Sequence, residues 1–373
     1  MKIKKQIKYI FGTAVFLAIA AVLLTLTTYV MRPTDKDFFR ARVAGFYAED
    51  RDSLDVVGFG SSALYRYLNS PLLWKQQGIT SYGIATAAQP VYVIPSLIDE
   101  VKKTQSPQLY IIETRRFTDT DNEVIKENRL RQIADNMKVS WNRFKMVTEL
   151  TEGFEDRLSY GFDLIKYHGN WENLTEESWE YLFNAKEHPL KGWSVNSRHK
   201  ILSYLDVKDI TGEIPITEKS EKELREIIEK CKKENIQVLF VATPWQVTEE
   251  EQQKDNYIKR IVEEAGFRFL DGNYYAEEMG LEYNVDFYNP KHTNAIGAAK
   301  FTTYLGNYIR EHYDIKTDHS EEVAASWDKA AEKEEKEYEK AAEKILKKAV
   351  KAIKAQRLIR QSSSSTAEEK IDL

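Results

Sequence analysis

The chain contains a single cysteine, Cys231, which excludes an internal disulfide framework and any cysteine-rich zinc site. It has no excess of one charge: 54 basic residues against 59 acidic ones give −5. A general nucleic-acid binder would lean basic, so no nucleic-acid partner is expected. No His-x-x-x-His pair or carboxylate cluster has metal-ligand spacing, no cofactor is expected, and no internal repeat divides the chain. What is present is globular in character, with 42% hydrophobic and 30% charged residues over 373 positions. That length accommodates one large domain or two small ones and a full core.

The two ends differ from the middle. Residues 1–8 form a basic stub with Lys2, Lys4, Lys5 and Lys8, and Tyr9 to Met31 then carries no charge. A helix of about 20 apolar residues spans a bilayer. The lysines place the N-terminus in the cytoplasm and the remainder outside. The run is too long for a signal peptide, and Thr27-Thr28-Tyr29-Val30-Met31 is a poor cleavage site, so an uncleaved anchor is expected. Residues 32–51 read as a linker. Residues 321–360 are rich in Ala, Glu and Lys, acidic first and basic later, which complements the helix macrodipole. Tyr338, Ala342, Ile345, Ala349 and Ile353 make one apolar stripe at helical spacing. This reads as a solvated helix with a weak packing face, or as a coiled-coil or partner-docking helix. The tail 361–373, with its run of serines, reads as disordered.

Residues 52–315 alternate strands and helices. Short apolar runs at Leu54–Gly60, Ser81–Ile84, Leu109–Glu113, Ile236–Ala242 and Phe267–Leu270 predict five strands. Helical patterns at Val91–Lys103, Glu221–Lys233 and Thr248–Gly266 fall between them. The expectation is an α/β fold, a doubly wound parallel sheet with ligands outside the carboxyl ends of its strands. Between the third and fourth strands lies an insertion of about residues 120–200. Its part Leu130–Ala185 reads as helical cover for the active-site edge, with Trp171, Trp179 and Trp193 read as packing residues rather than sugar platforms.

Two chemistries fit the first strand-to-helix turn. Gly58-Phe59-Gly60-Ser61-Ser62-Ala63 satisfies the form of a dinucleotide fingerprint, but the next strand ends Gly83-Ile84-Ala85-Thr86 without the acidic residue that motif needs. The alternative is a serine nucleophile exposed at the sheet edge beside backbone N–H groups. A base is available late in the chain in Asp286-Phe-Tyr-Asn289-Pro-Lys-His292, just before a helix. Each feature alone is commonplace, since a serine there usually caps the helix and a lone histidine is usually structural. Together, at opposite ends of an α/β pattern, they point to Ser–His chemistry.

These residues resemble the SGNH (GDSL-type) hydrolases over about Asp52 to Tyr313. Gly60-Ser61-Ser62 stands where the family has Gly-Asp-Ser, and Asn289-Pro290-Lys291-His292 where it has Asp-x-x-His. Further segments, Tyr82–Pro90, Phe162–Trp171 and Asp286–Thr302, are similar to a membrane-anchored branch. That branch includes extracytoplasmic partners of membrane-bound O-acyltransferases in Gram-positive envelope modification, lipoteichoic acid D-alanylation among them. The resemblance implies a three-layer flavodoxin-like sheet, Ser62 as nucleophile and His292 as base. It also implies an oxyanion site at the Ser62 and Ala88 backbone N–H groups, with Ala88 replacing the family's glycine. The third strand ends Glu113-Thr114-Arg115, without the family's asparagine, and Arg115 stands near the expected oxyanion position. Asn289 replaces the triad acid, a change that costs about 10⁴ in rate in a serine protease. Asp286 could substitute for it if the loop folds back.

Two functions follow. One is an extracytoplasmic esterase or acyltransferase acting on a cell-envelope glycopolymer, teichoic acid or an acylated carrier. The other is a weak or inactive accessory protein docked on a membrane-bound O-acyltransferase.

Overall fold

The structure, a computed structural model, describes residues 2–34, 39–119, 125–183 and 185–368. Five runs rich in β-branched and aromatic residues form one parallel sheet: β1 (Val56–Gly60), β2 (Ser81–Ala85), β3 (Leu109–Glu113), β4 (Val238–Ala242) and β5 (Arg268–Asp271). Every residue of β1 to β4 is buried, which is why these strands read as unbroken apolar runs rather than alternating ones. The strand order is β2-β1-β3-β4-β5. The chain therefore leaves β1 for one side of it and returns to the other, opening a crevice at the carboxyl ends of β1 and β3. Gly60 and Glu113 end those two strands.

The intervening helices bury the stripes expected of them. Glu218–Lys233 turns Leu224, Ile227, Ile228 and Cys231 inward. Burial pushes the Cys231 thiol up to about 12, so it is an inert core residue. Glu249–Glu264 opens with a capping box between Thr248 and Glu251. A small antiparallel hairpin, β6 (Phe287–Asn289) with β7 (His292–Thr293), precedes the helix Ala295–His312.

The first helix, Lys2–Met31, contains one stretch long and apolar enough to cross a membrane, Gln6–Met31. The segment 32–51, expected as a linker, is packed at many of its described residues. Val30 and Arg32 are already buried, and the helix Arg40–Phe46 inserts Val43 and Phe46 into the main core. Arg32 Nε donates to Asp163 at 2.6 Å, and Arg143 bridges Asp163 and Asp135, which also pairs with Arg131. Asn170 donates to the Met31 carbonyl at 3.0 Å. The insertion is helical, as expected, with Glu127–Ala134, Trp141–Leu150, Phe154–Gly161, Leu164–Tyr167 and Glu176–Phe183.

Its helices do not cover the site edge, however. They bank against the last turns of the first helix and against Ile94–Val101. The site edge is reached by the irregular chain that follows, where Ser194 N–H donates to the Tyr65 carbonyl at 2.9 Å. Of the three tryptophans expected to pack, only Trp193 does; Trp171 and Trp179 are 62% and 56% exposed.

The C-terminal helix, Glu321–Glu368, is a strap rather than a solvated rod. Trp327, Ile345 and Ala349 are buried, Asn69 donates to Glu334 at 2.6 Å, and the helix packs on Ser70–Gln77 and Ala295–His312. The predicted stripe is the packing face, with Tyr338, Ala342 and Ile353 half-buried, and the domain itself covers it. No glycine or proline stops the helix, and its backbone continues to Glu368 through most of the tail expected to be disordered. Residues 369–373 of that tail lie outside the described residues.

Asp163→Ala would leave Arg32 and Arg143 buried with one partner fewer. Loss of one partner of such a cluster costs about 3–5 kcal/mol. Thermal unfolding of the detergent-solubilised full chain should show a drop of several degrees. Lys145→Ala, which removes an exposed pair with Glu149, should leave the midpoint within a degree or so.

Candidate active site

The turn after β1 separates the two serines by role. Ser61 is the N-cap of the helix Ser62–Tyr67: its Oγ accepts from Ala63 N–H and donates to Glu113 Oε2 at 3.1 Å. The capping function thus falls on Ser61, and Ser62 is left in the first helical turn, where backbone N–H groups have no intrahelical acceptor. Glu113 also accepts from Ser61 N–H at 3.3 Å and from Arg115 N–H at 2.9 Å, joining the ends of β1 and β3. Gly60 permits this approach, since a Cβ there would lie 2.6 Å from the Glu113 Cβ.

The hairpin β6–β7 carries His292, the expected base, to this turn. Its tight Asn289-Pro290-Lys291-His292 turn opposes Asn289 and His292. His292 Nε2 lies 2.7 Å from Ser62 Oγ, and Nδ1 lies 3.0 Å from Asn289 Oδ1. Lys291 N–H donates to that same Oδ1 at 2.9 Å, so the Asn289 amide presents its oxygen to the ring. Nδ1 must then carry the proton, which leaves the Nε2 lone pair to accept from Ser62. This is the tautomer a general base requires. Tyr288 stacks on the imidazole, with centroids 5.5 Å apart and planes 11° apart.

Asp286 does not reach His292. It is fully buried at the base of the hairpin, where it accepts from Glu282 N–H at 2.7 Å and pairs with Lys300 at 2.8 Å. Its side chain is committed to bracing the loop, and Asn289 alone faces Nδ1.

Arg115 is in the site. It donates to the Lys291 carbonyl, and one guanidinium nitrogen lies 3.4 Å from His292 Nε2. Arg66 leaves the Ser62 helix one turn later and donates to the Ser194 and Val195 carbonyls. Arg198 lies 4.7 Å over the Tyr288 ring, and Lys291 and Arg115 each approach Trp245 at 5.6 Å. Burial, then Arg115, Arg66, Lys291 and Arg198, push the His292 pKa down to about 3. The resting histidine is neutral, in a cationic setting that opposes its protonation.

Ala88 follows β2 and adopts a φ of +48°, a left-handed conformation that alanine rarely takes and glycine takes freely. Such strain is retained where the surrounding structure imposes it, commonly at functional positions. Sequence reasoning missed Glu113, Arg66, Tyr288 and Trp245. Trp245, just beyond β4, and Glu113, the last residue of β3, could have been found by inspecting the carboxyl end of every strand. Arg66 could have been found by stepping four residues on from Ser62 along its helix.

The pH dependence of Ser62 reactivity follows from this environment. A base with a pKa near 3 is neutral at higher pH, so labelling of Ser62 by a fluorophosphonate should show no inflection from His292 between about pH 5 and 8. Asn289→Asp puts a carboxylate on Nδ1, favours the imidazolium and raises that pKa. It should speed labelling at pH 8 by at least about tenfold, part of the roughly 10⁴ that the opposite change costs a serine protease. A rate unchanged or lowered by Asn289→Asp in a folded variant would show that His292 does not act as base. No protein-family model matches the chain, and no curated protein matches it.

Proposed function

We propose that this protein is a membrane-anchored, extracytoplasmic serine esterase or acyltransferase of SGNH type that acts on acyl groups of cell-envelope glycopolymers. The observation that carries the reading is the 2.7 Å contact between Ser62 Oγ and a neutral His292 Nε2, across the crevice of a sheet ordered β2-β1-β3-β4-β5. That order matches the one expected of flavodoxin-like sheets, whose ligand crevice lies beside β1 and β3, and it supports the reading.

In the proposed reaction Ser62 Oγ attacks the carbonyl carbon of an ester or thioester while its proton passes to Nε2. The tetrahedral oxyanion is held by the backbone N–H groups of Ser62 and Ala88 and by the Arg115 charge. Collapse breaks the bond to the leaving group, which takes the proton from His292 and leaves an acyl-serine. Water or a glycan or polyol hydroxyl then attacks the acyl-serine, with His292 again accepting and returning the proton. The cations Arg66, Arg115, Arg198 and Lys291 suit an anionic polymer such as teichoic acid. The basic stub and apolar first helix support single-pass anchorage with the domain outside the cell, and the resemblance alone suggests a Gram-positive one.

One observation favours a second reading. Asn289 offers Nδ1 no charge, and a pKa near 3 makes His292 a weak base. An accessory protein docked on a membrane-bound O-acyltransferase would keep the fold and use Ser62 little.

The test uses the full chain in detergent, because a chain starting at Pro33 would lose the buried Arg32. Fluorophosphonate treatment followed by peptide mass spectrometry should locate an adduct on Ser62 that disappears in His292→Ala. In cells, Ser62→Ala at normal protein level should abolish envelope acylation. No adduct on the folded protein, together with retained acylation in Ser62→Ala cells, would establish the accessory reading instead.

A further inference from the structure

Among the described residues, most of the large apolar side chains that are more than half exposed outside the first helix fall in the insertion, with Leu346 and Val350 on the C-terminal helix as the exceptions. Val139, Trp141, Phe144, Ile165, Trp171 and Trp179 are each more than half exposed, and all belong to the insertion. Three of the protein's seven tryptophans are among them. Contacts of their own elements or of neighbouring residues place them near the end of the first helix. Val139 N–H donates to Tyr29 Oη, and Trp141, two residues on, stacks on Phe144 at 5.2 Å. Ile165 lies two residues from the Arg32 partner Asp163, and Trp171 follows Asn170, which holds the Met31 carbonyl. Trp179 is on the helix Glu176–Phe183, which packs against the first helix directly.

The length of bare helix gives the height of this collar. The first helix is exposed from Gln6 to Thr25, and partial cover begins at Leu26, with Thr27 still exposed and Val30 buried. From Tyr9, the first residue past the last lysine, to Thr25 is about 26 Å of helix at 1.5 Å per residue. The hydrocarbon core is about 30 Å thick. The bare stretch falls short of it, so the elements around the last turns must meet the outer edge of the bilayer. That is the depth at which tryptophan and tyrosine side chains concentrate.

We propose that this collar of the insertion lies in the outer interface of the bilayer, its aromatic side chains seated between lipid headgroups and acyl chains. This rests on the first helix spanning a membrane and is independent of any chemistry at Ser62. The charges around the patch are mixed, with Glu172, Glu176 and Glu177 beside Lys138 and Lys145. Apolar insertion rather than attraction to anionic lipid therefore supplies the contact, and a zwitterionic bilayer is sufficient.

The test reconstitutes the full chain in phosphatidylcholine vesicles whose acyl chains are brominated near the headgroup. Emission should fall by up to the share of three indoles among seven. W141F/W171F/W179F, which keeps the apolar surface, should lose that quenching while retaining the emission of the four remaining tryptophans. Protein that floats with the vesicles but is unquenched, or is quenched equally in the triple variant, overturns the proposal. Free access of acrylamide to the three indoles in the vesicle-bound chain would do the same and would assign the face to a protein partner. Failure to float would overturn the anchor reading and this inference together.

Discussion

The carboxyl group of Glu113 is the point on which the site is built. It accepts from the N–H and hydroxyl of Ser61 and from the N–H of Arg115, so one side chain at the end of β3 fixes the turn after β1 and the start of the Arg115 turn. A buried acceptor with three donors is stable, and losing its donors would carry the full desolvation cost. Because Ser61 satisfies both the helix cap and Glu113, Ser62 has no structural duty. Its Oγ can be held by His292 alone, and the close approach of Glu113 to β1 requires glycine at position 60.

The strands were readable because a parallel sheet buried on both faces demands continuous apolar runs, and glycine, threonine or proline punctuates their carboxyl ends. Ser62 is legible because it lies in the turn after β1, at the carboxyl edge of such a sheet, and Asn289 and His292 because an Asn-Pro-Lys-His turn stands just before a helix. Asp286 against Asn289 was not decidable from spacing. Six residues of separation allow a return to His292, and only the hairpin pairing and the Lys300 contact show that it does not occur. The location of the insertion was hidden too. Amphipathic helices carry the same pattern whichever neighbour they bury against, and their real neighbour is the first helix, which composition marks as lipid-facing. The C-terminal stripe is legible as an apolar face, but what it packs on is not, because sequence does not show that Trp327 and Glu334 have partners within the domain.

The electrostatics of the site oppose the ordinary triad arrangement. An acid on Nδ1 would offset the charge that His292 gains when it takes the serine proton. Here an amide oxygen orients the ring without offsetting that charge, and four cations around the crevice add to its cost. Orientation and charge stabilisation, joined in one residue in the usual triad, are separated. Asn289 supplies the first, and in the proposed reaction the second would have to come from outside the hairpin.

The burial of Arg32 directly after the first helix has a mechanical meaning. A flexible tether would let the domain sweep a hemisphere and sample polymer at many heights. Here Val30 and Arg32 are already part of the packed structure, and Arg32 pairs with Asp163, so the end of the first helix is held directly against the domain. With that helix in a bilayer, the crevice sits at one height and one tilt above the surface. On the proposed reading the domain would work as a fixed-height tool, and the polymer, or a partner presenting it, would have to move.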